Sequence, residues 1–253
     1  MSTGKETIKL EKLLLVEGKD EENFFEELLN YMGMKDIQII SYDGKDNLKN
    51  KLEAITRIPD FSKVKVLGII RDADEDVNKA FQSVRNTLKI SLKENPYIKA
   101  KIKKYTYSNF EKLLPQKPGI FSSGFIKIGI YIMPDNKENG MLEDLCLRSV
   151  KDSPLINCID ELFKCAKQIY ESGELKEYFK KYEYFKNKEF YKKIFSESDG
   201  KIKNISKARV QAYLSTMPVV VSSIGIGAKK GYWNLESEVL DELKKFLMYY
   251  EKL

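Results

Sequence analysis

Residues 64–76 read VKVLGIIRDADED. A continuous apolar run of this length, rich in Val and Ile and ended by acidic residues, is the pattern of a strand buried on both faces. Working outward, residues 12–16 (KLLLV) repeat the pattern in shorter form and end at Glu17-Gly18. Residues 37–41 (IQIIS) form a third candidate strand and end at Tyr42-Asp43-Gly44, a turn. Helical periods separate them. Phe24, Phe25, Leu28 and Leu29 recur at helix spacing after Glu17, residues 45–57 read as a second helix, and a third runs from about Glu75 to Leu92. Strand, helix, strand, helix, strand, helix predicts an α/β fold with a mostly parallel sheet covered by helices.

Beyond residue 95 the rhythm changes. Residues 96–118 are basic and aromatic with a Pro-rich end, and 124–133 (GFIKIGIYIM) form a fourth strand that Pro134-Asp135-Asn136 breaks. Residues 140–150 (GMLEDLCLRSV) start a helix. From 158 onward the chain reads as helical: 158–195, then 205–216, then a turn-rich connector GIGAKKGYW (225–233) that packs Trp233, then 236–252. The expected division is an α/β domain over 1–152 and an α-helical C-terminal region over 153–253.

Composition narrows the chemistry. The chain has no histidine, which removes Ser-His and Cys-His nucleophile systems and any histidine base or ligand. Its three cysteines, Cys146, Cys158 and Cys165, form no C-x-x-C pair, so neither a disulfide framework nor a zinc site is expected, and all three read as buried thiols. Catalysis would rest on carboxylates, lysine, tyrosine or a metal held by oxygen. The net charge of +6 suits an anionic partner. Only five of the 44 basic residues are arginine, and a Lys-, Ile-, Asn- and Tyr-rich chain follows from AT-rich coding, so lysine density by itself says little. No stretch has the length and apolarity of a membrane span, and the N-terminus does not read as a secretory signal. A cytoplasmic protein is expected.

In a parallel α/β sheet, ligands gather at the carboxyl ends of the strands. Glu17 and the pair Asp72 and Asp74 both stand there. Residues two apart in extended chain point the same way, so both aspartates can face one ion. Glu143-Asp144 opens the helix after the fourth strand. Such carboxylates are the hard oxygen ligands that Mg²⁺ or Mn²⁺ takes. The same residues can instead cap the helices that follow.

The order L-L-L-V-E-G-K-D-E (13–21), Y-D-G-K-D-N-L (42–48) and G-I-I-R-D-A-D-E-D (68–76) resembles a Toprim domain, the fold shared by topoisomerases, bacterial primases and OLD-type nucleases. The stretches Y-I-M-P-D-N-K-E-N-G-M-L-E-D-L (131–145), K-A-R-V-Q-A-Y-L (207–214) and G-A-K-K-G-Y-W (227–233) resemble a stand-alone Toprim-related family of uncharacterised bacterial proteins. The Toprim likeness covers roughly residues 10–150. It implies that Glu17 is a metal ligand or general acid/base, that Asp72 and Asp74 are the metal pair, that Glu21 and Glu143 are further ligands, and that Lys207 stabilises developing phosphate charge. Asp144 and Asp76 are weaker matches. The resemblance further implies an Mg²⁺- or Mn²⁺-dependent nuclease cutting DNA or RNA, of the kind used as an effector in phage defence. The chain lacks the G-x-x-x-x-G-K-[ST] loop of an ATPase, a zinc ribbon and a recognisable topoisomerase tyrosine domain. An ATPase partner protein, a homo-oligomer, or a non-catalytic Toprim module that binds nucleic acid or a partner all stay open. The basic-aromatic segments 96–112 and 164–194 are either a nucleic-acid surface or ordinary amphipathic helix.

Overall fold

The computed structural model describes residues 7–104, 110–182 and 205–252. They form two compact units: residues up to Ser149 together with Ser223 onward, and Val150–Ser222.

The first unit is α/β. Strands β1 (Lys12–Val16), β2 (Gln38–Ser41), β3 (Val66–Asp72) and β4 (Lys127–Met133) form one sheet in the order β2-β1-β3-β4, and every pairing is parallel. Parallel neighbours need crossover connections. These contain α1 (Lys19–Tyr31) between β1 and β2, α2 (Leu48–Arg57) between β2 and β3, and α3 (Val77–Lys93) with α4 (Pro96–Lys104) between β3 and β4. Leu13, Leu15, Leu67, Ile69, Ile128 and Ile130 join Leu52 and Ile55 of α2 and Val84 and Leu88 of α3 in the main core. Side-chain alternation therefore sends Leu14, Gly68 and Gly129 to the other face. The outer edge of β4 is covered by residues 119–122, through Gly119 N–H to Ile130 O and Ser122 N–H to Ile128 O. That removes one row of unpaired edge groups.

The other face is filled from far along the chain. Gly68 and Gly129 are register partners on β3 and β4. A Cβ on Gly68 would lie 2.0 Å from the Tyr250 hydroxyl, and one on Gly129 would lie 2.6 Å from the Phe121 ring. The two glycines thus floor a trough in which Tyr250 donates its hydroxyl to Leu13 O at 2.9 Å, and Phe121 stacks on Tyr249 and Phe246. Absence of a Cβ permits this close approach.

This packing corrects the division expected at residue 152. The chain leaves the α/β unit after α5 (Leu142–Ser149) and re-enters at Ser223. The returning segment carries α9 (Ile224–Lys229) and α10 (Asp241–Met248). α9 lies on α1: a Cβ on Gly225 would come within 2.4 Å of Asn23 Cβ, and Lys229 bonds Asn23 and Glu26. Trp233 is buried and donates its indole N–H to Ile224 O. GIGAKKGYW is thus a packing element.

The second unit contains α6 (Pro154–Ser172), α7 (Glu174–Lys180) and α8 (Ile205–Ser215). Ile156 and Ile159 of α6 and Val210, Tyr213 and Leu214 of α8 are buried, and Arg209 pairs with Asp160. Cys158 and Cys165 are exposed on α6, against the expectation of buried thiols, and only Cys146 is buried. They recur at helical spacing with Leu162 and Ile169, which are exposed as well, while burial on α6 falls to Ile156 and Ile159. Within the basic-aromatic segments, Ile98 and Tyr97 turn inward while Tyr178 and Tyr182 are exposed; residues 105–109 and 183–194 lie outside the described residues. Among the described residues no helix is long and apolar enough to cross a membrane.

Candidate metal centre

β1 and β3 are adjacent and parallel, with Leu15 opposite Ile69. Continuing that register places Glu17 and Asp72 at the same carboxyl edge of the sheet. Asp72 is also the last residue of β3 and pairs with Met133 of β4. The acidic ends of the first and third strands are thus brought together by strand order alone.

Each carboxylate is positioned by a different local device. Glu17 follows β1, and its carbonyl accepts the Gly44 N–H at 2.9 Å, which draws the loop after β2 onto it. Glu21, in the first turn of α1, folds back so that its Oε2 would stand 2.8 Å from a Cβ on Gly18. Asp72 accepts the Leu142 N–H at 3.1 Å, linking the end of β3 to the start of α5. Asp74 adopts φ 52°, uncommon for a residue with a Cβ. Two reciprocal backbone bonds with Gly140, both 3.0 Å, hold it there. Asn139 adds bonds to Glu75 O and from Val77 N–H, and Arg148 pairs with Asp135 and Glu138 on the same loop. The loop after β4 is therefore strapped to the D-x-D segment.

The capping alternative holds for part of the acidic run. Asp76 is the N-cap of α3, accepting Lys79 N–H at 2.9 Å. Asp144 accepts Met141 N–H at 2.9 Å ahead of α5. Asp72 and Asp74 lie outside the α3 cap, and Glu143 is half-buried beside Asp144.

The electrostatics tie the set together. Burial raises the Glu17 carboxyl above the ordinary range, Glu21 and Asp74 raise it further, and Arg71 and Lys45 oppose them. Asp72 is raised well above its ordinary value, by burial first and then by Glu17, Glu143 and Glu21. Among the described residues, however, no three acidic or cysteine side chains converge tightly enough to hold one metal ion. Like charges repel, and these carboxylates turn instead to separate donors: Asp74 to Lys45, Asp72 to a backbone N–H. The donor set is all oxygen, the type that Mg²⁺ and Mn²⁺ prefer. A divalent cation would offset the repulsion that raises Asp72 and Glu17.

Three neighbours lie inside the quoted motifs without a role read from them. Lys45 sits 3.3 Å from Asp74 Oδ2. Arg71, next to Asp72, bonds Ser83 through Nη1 and keeps its Nε buried without a partner. Tyr42, fully buried, donates to Ile70 O at 3.0 Å. Their signal in the sequence is their place in those motifs: Arg71 precedes the D-x-D pair, and Tyr42 and Lys45 flank Asp43-Gly44. Lys207 lies in the second unit, exposed at the third position of α8 while Val210 three residues on is buried.

The model for a family described as a protein of unknown function, DUF3226, matches residues 11–251. The chain belongs to the DUF3226 family. No curated protein and no solved structure matches it. The DUF3226 match spans both compact units, so the return of the chain to the sheet lies within the family's extent.

A pH prediction follows from the raised carboxyls. Their folded values exceed the unfolded ones, so in the window above the ordinary carboxylate range the folded chain binds more protons than the unfolded chain. Stability supplied by these groups is then lost as pH rises. Asp76, Glu94 and Glu111 are lowered by exposed hydrogen bonds and act in the opposite sense. The difference between wild type and Asp72→Asn cancels their effect. In chelator, the wild type is expected to lose melting temperature relative to Asp72→Asn as pH rises from about 4 towards neutrality. Thermal unfolding across that range checks it, and parallel curves would contradict it.

Proposed function

We propose that this chain is a Toprim-type nuclease, an Mg²⁺- or Mn²⁺-dependent phosphodiesterase acting on DNA or RNA in the cytoplasm, and that it serves as an effector of phage defence. The observation that carries the reading is the meeting of Glu17 with Asp72-x-Asp74 at the carboxyl ends of adjacent parallel strands, within the electrostatic reach of Glu21 and Glu143. Glu17, Glu21, Asp72, Asp74 and Glu143 would hold the ions, which when bound supply Lewis-acid activation of water and stabilise the leaving oxygen. The protein's own part is positional. The Gly140 bonds fix the Asp74 backbone, the Leu142 N–H orients Asp72, and burial together with neighbouring carboxylates raises Glu17 and Asp72 above the ordinary carboxylate range. In this reading Lys207 would stabilise developing phosphate charge.

Purified protein is expected to degrade nucleic acid in Mg²⁺ or Mn²⁺ and to stop in chelator, with Lys207→Ala lowering the rate about 10²-fold at unchanged melting temperature. Assays on single- and double-stranded DNA and on RNA decide it. Nuclease activity that persists in chelator, or in Glu17→Gln protein, would assign the signal elsewhere.

A second reading draws on the separation of the carboxylates. A site whose ligands rest on Lys45 and backbone donors suits a subunit held inactive until an ATPase partner, or a second copy, draws the ligands together. Activity that appears only on adding the partner favours it. Nucleic-acid binding without cleavage under any condition would favour a non-catalytic module.

A further inference from the structure

We propose that the outer edge of β2 pairs with the same edge of a second copy of this chain, so that two four-stranded sheets run on as one. The inference is independent of the nuclease reading.

The fold treats the two edges of the sheet differently. β4 is covered by residues 119–122, whereas β2 (Gln38–Ser41) stands uncovered at the other end of the strand order among the described residues. One bond fixes which way its main-chain groups point. Tyr42 donates its N–H to Val16 O on β1. Main-chain groups alternate in direction along a strand, so those of Gln38 and Ile40 also turn to β1, and those of Ile37, Ile39 and Ser41 turn away. Among the described residues, the outward groups of these three have no hydrogen-bond partner. Residues 7–10 bond to β2 through the Gln38 side chain and leave that main chain untouched. A row of unpaired edge groups is a template for another strand.

The edge matches itself in bonding and in charge. A two-fold axis sets identical strands antiparallel, and residue i of one copy meets j of the other while j meets i. With the axis at Ile39, the two Ile39 residues exchange both main-chain bonds, and Ile37 bonds Ser41 of the second copy. The half-buried Ile39 side chains then form a cross-strand pair. The next outward positions are Lys35 and Asp43, so Lys35 of each copy lies beside Asp43 of the other. Both are exposed, and Lys35 has no ion pair in its own chain among the described residues. An axis at Gln38 would oppose Lys35 to Ser41, and an axis at Ile40 would oppose Asp43 to Ile37. Charge thus selects the register centred on Ile39. Four strands from each copy give a sheet of ordinary width. The joint abuts the loop after β2, which the Gly44 N–H ties to Glu17 O.

Sedimentation equilibrium of the full chain over a range of concentrations tests this with wild type, Ile39→Pro, Lys35→Glu and Lys35→Glu/Asp43→Asn. Proline is accepted on an edge strand where the N–H faces outward. Ile39→Pro therefore deletes a bond given to the second copy and none of the ladder with β1. Wild type is expected to be a dimer, and Ile39→Pro a monomer with unchanged circular dichroism and Trp233 fluorescence. Lys35→Glu should raise the dimer dissociation constant about tenfold, because two cross-strand pairs turn from attractive to repulsive. Adding Asp43→Asn removes the repulsion and should recover part of that loss, and asparagine tolerates the φ of 57° at this position. Should Ile39→Pro fail to fold, the two Lys35 variants carry the test. A wild type that stays monomeric at the highest concentration reached overturns the proposal, whether the edge is then empty or taken by other residues of the same chain. A dimer that survives in folded Ile39→Pro protein, or whose dissociation constant ignores Lys35→Glu, overturns it too and places the contact on another surface.

Discussion

Asp72→Asn is expected to lower nucleic-acid cleavage by about 10²- to 10³-fold, the scale of removing one preorganised charge stabiliser, while making the metal-free protein more stable at neutral pH. The two effects have one cause. Asp72 sits where burial and three other carboxylates, Glu17, Glu143 and Glu21, resist its ionisation. An amide of the same shape removes that repulsion and can still accept the Leu142 N–H. It cannot supply the charge that a divalent ion needs. Cleavage rates in Mg²⁺ and melting temperatures in chelator, measured on the same preparation, check both halves. A variant that loses activity and stability together would mean that Asp72 serves the fold. Glu17→Gln should behave alike with a smaller gain in stability, because Arg71 and Lys45 already offset part of the repulsion at Glu17.

Gly68→Ala is expected to destabilise the α/β unit by about 3 kcal/mol, combining the overpacking of a filled core with the loss of a buried hydrogen bond. The added methyl would lie 2.0 Å from the Tyr250 hydroxyl and 3.1 Å from Leu14 Cδ1. Tyr250 must then retreat, leaving Leu13 O without its side-chain donor and disturbing the stack of Phe121 with Tyr249 and Phe246. Tyr250→Phe alone removes only the hydroxyl and should cost about 1–2 kcal/mol. Combined with Gly68→Ala it relieves the nearest clash, so the double variant should be more stable than the sum of the two predicts. Urea unfolding followed through Trp233, the chain's single tryptophan, isolates this unit. Strictly additive losses would show that Gly68 and Tyr250 are not energetically coupled.

The strands and the acidic edge were legible because both are local. VLGII and LLLV declare buried strands by composition, and a carboxylate at the end of a parallel strand is placed by topology before any side-chain detail. The sheet is in fact wholly parallel, and β1 falls on the residues expected. What was not legible depends on distant partners. Nothing near Gly68 announces Tyr250, 182 positions on in the numbering but in contact across the face. For the same reason the pattern over 223–253 reads as part of a contiguous helical region. Asp76 and Asp144 were hard to separate from Asp72, Asp74 and Glu143 because a helix cap and a metal ligand draw on the same residue types. Lys45 and Arg71 do not stand out among the 44 basic residues, since a cation's importance lies in what faces it.

The trough floored by Gly68 and Gly129 sets a schedule for synthesis. A ribosome delivers β1, β3 and β4 early, but on the face they share Gly68 lacks the Tyr250 ring and Phe121 its stacking partners until residues 246–250 emerge. Residues 150–222, which belong to the other compact unit, emerge during that interval. The nascent α/β layer must wait half-finished, its glycine-lined face open to water and to other chains. A stall, a nonsense codon or proteolysis ahead of Tyr250 would leave Gly68 permanently without that ring. Such a fragment would retain every acidic residue of the candidate centre and still lack the last cover of its sheet.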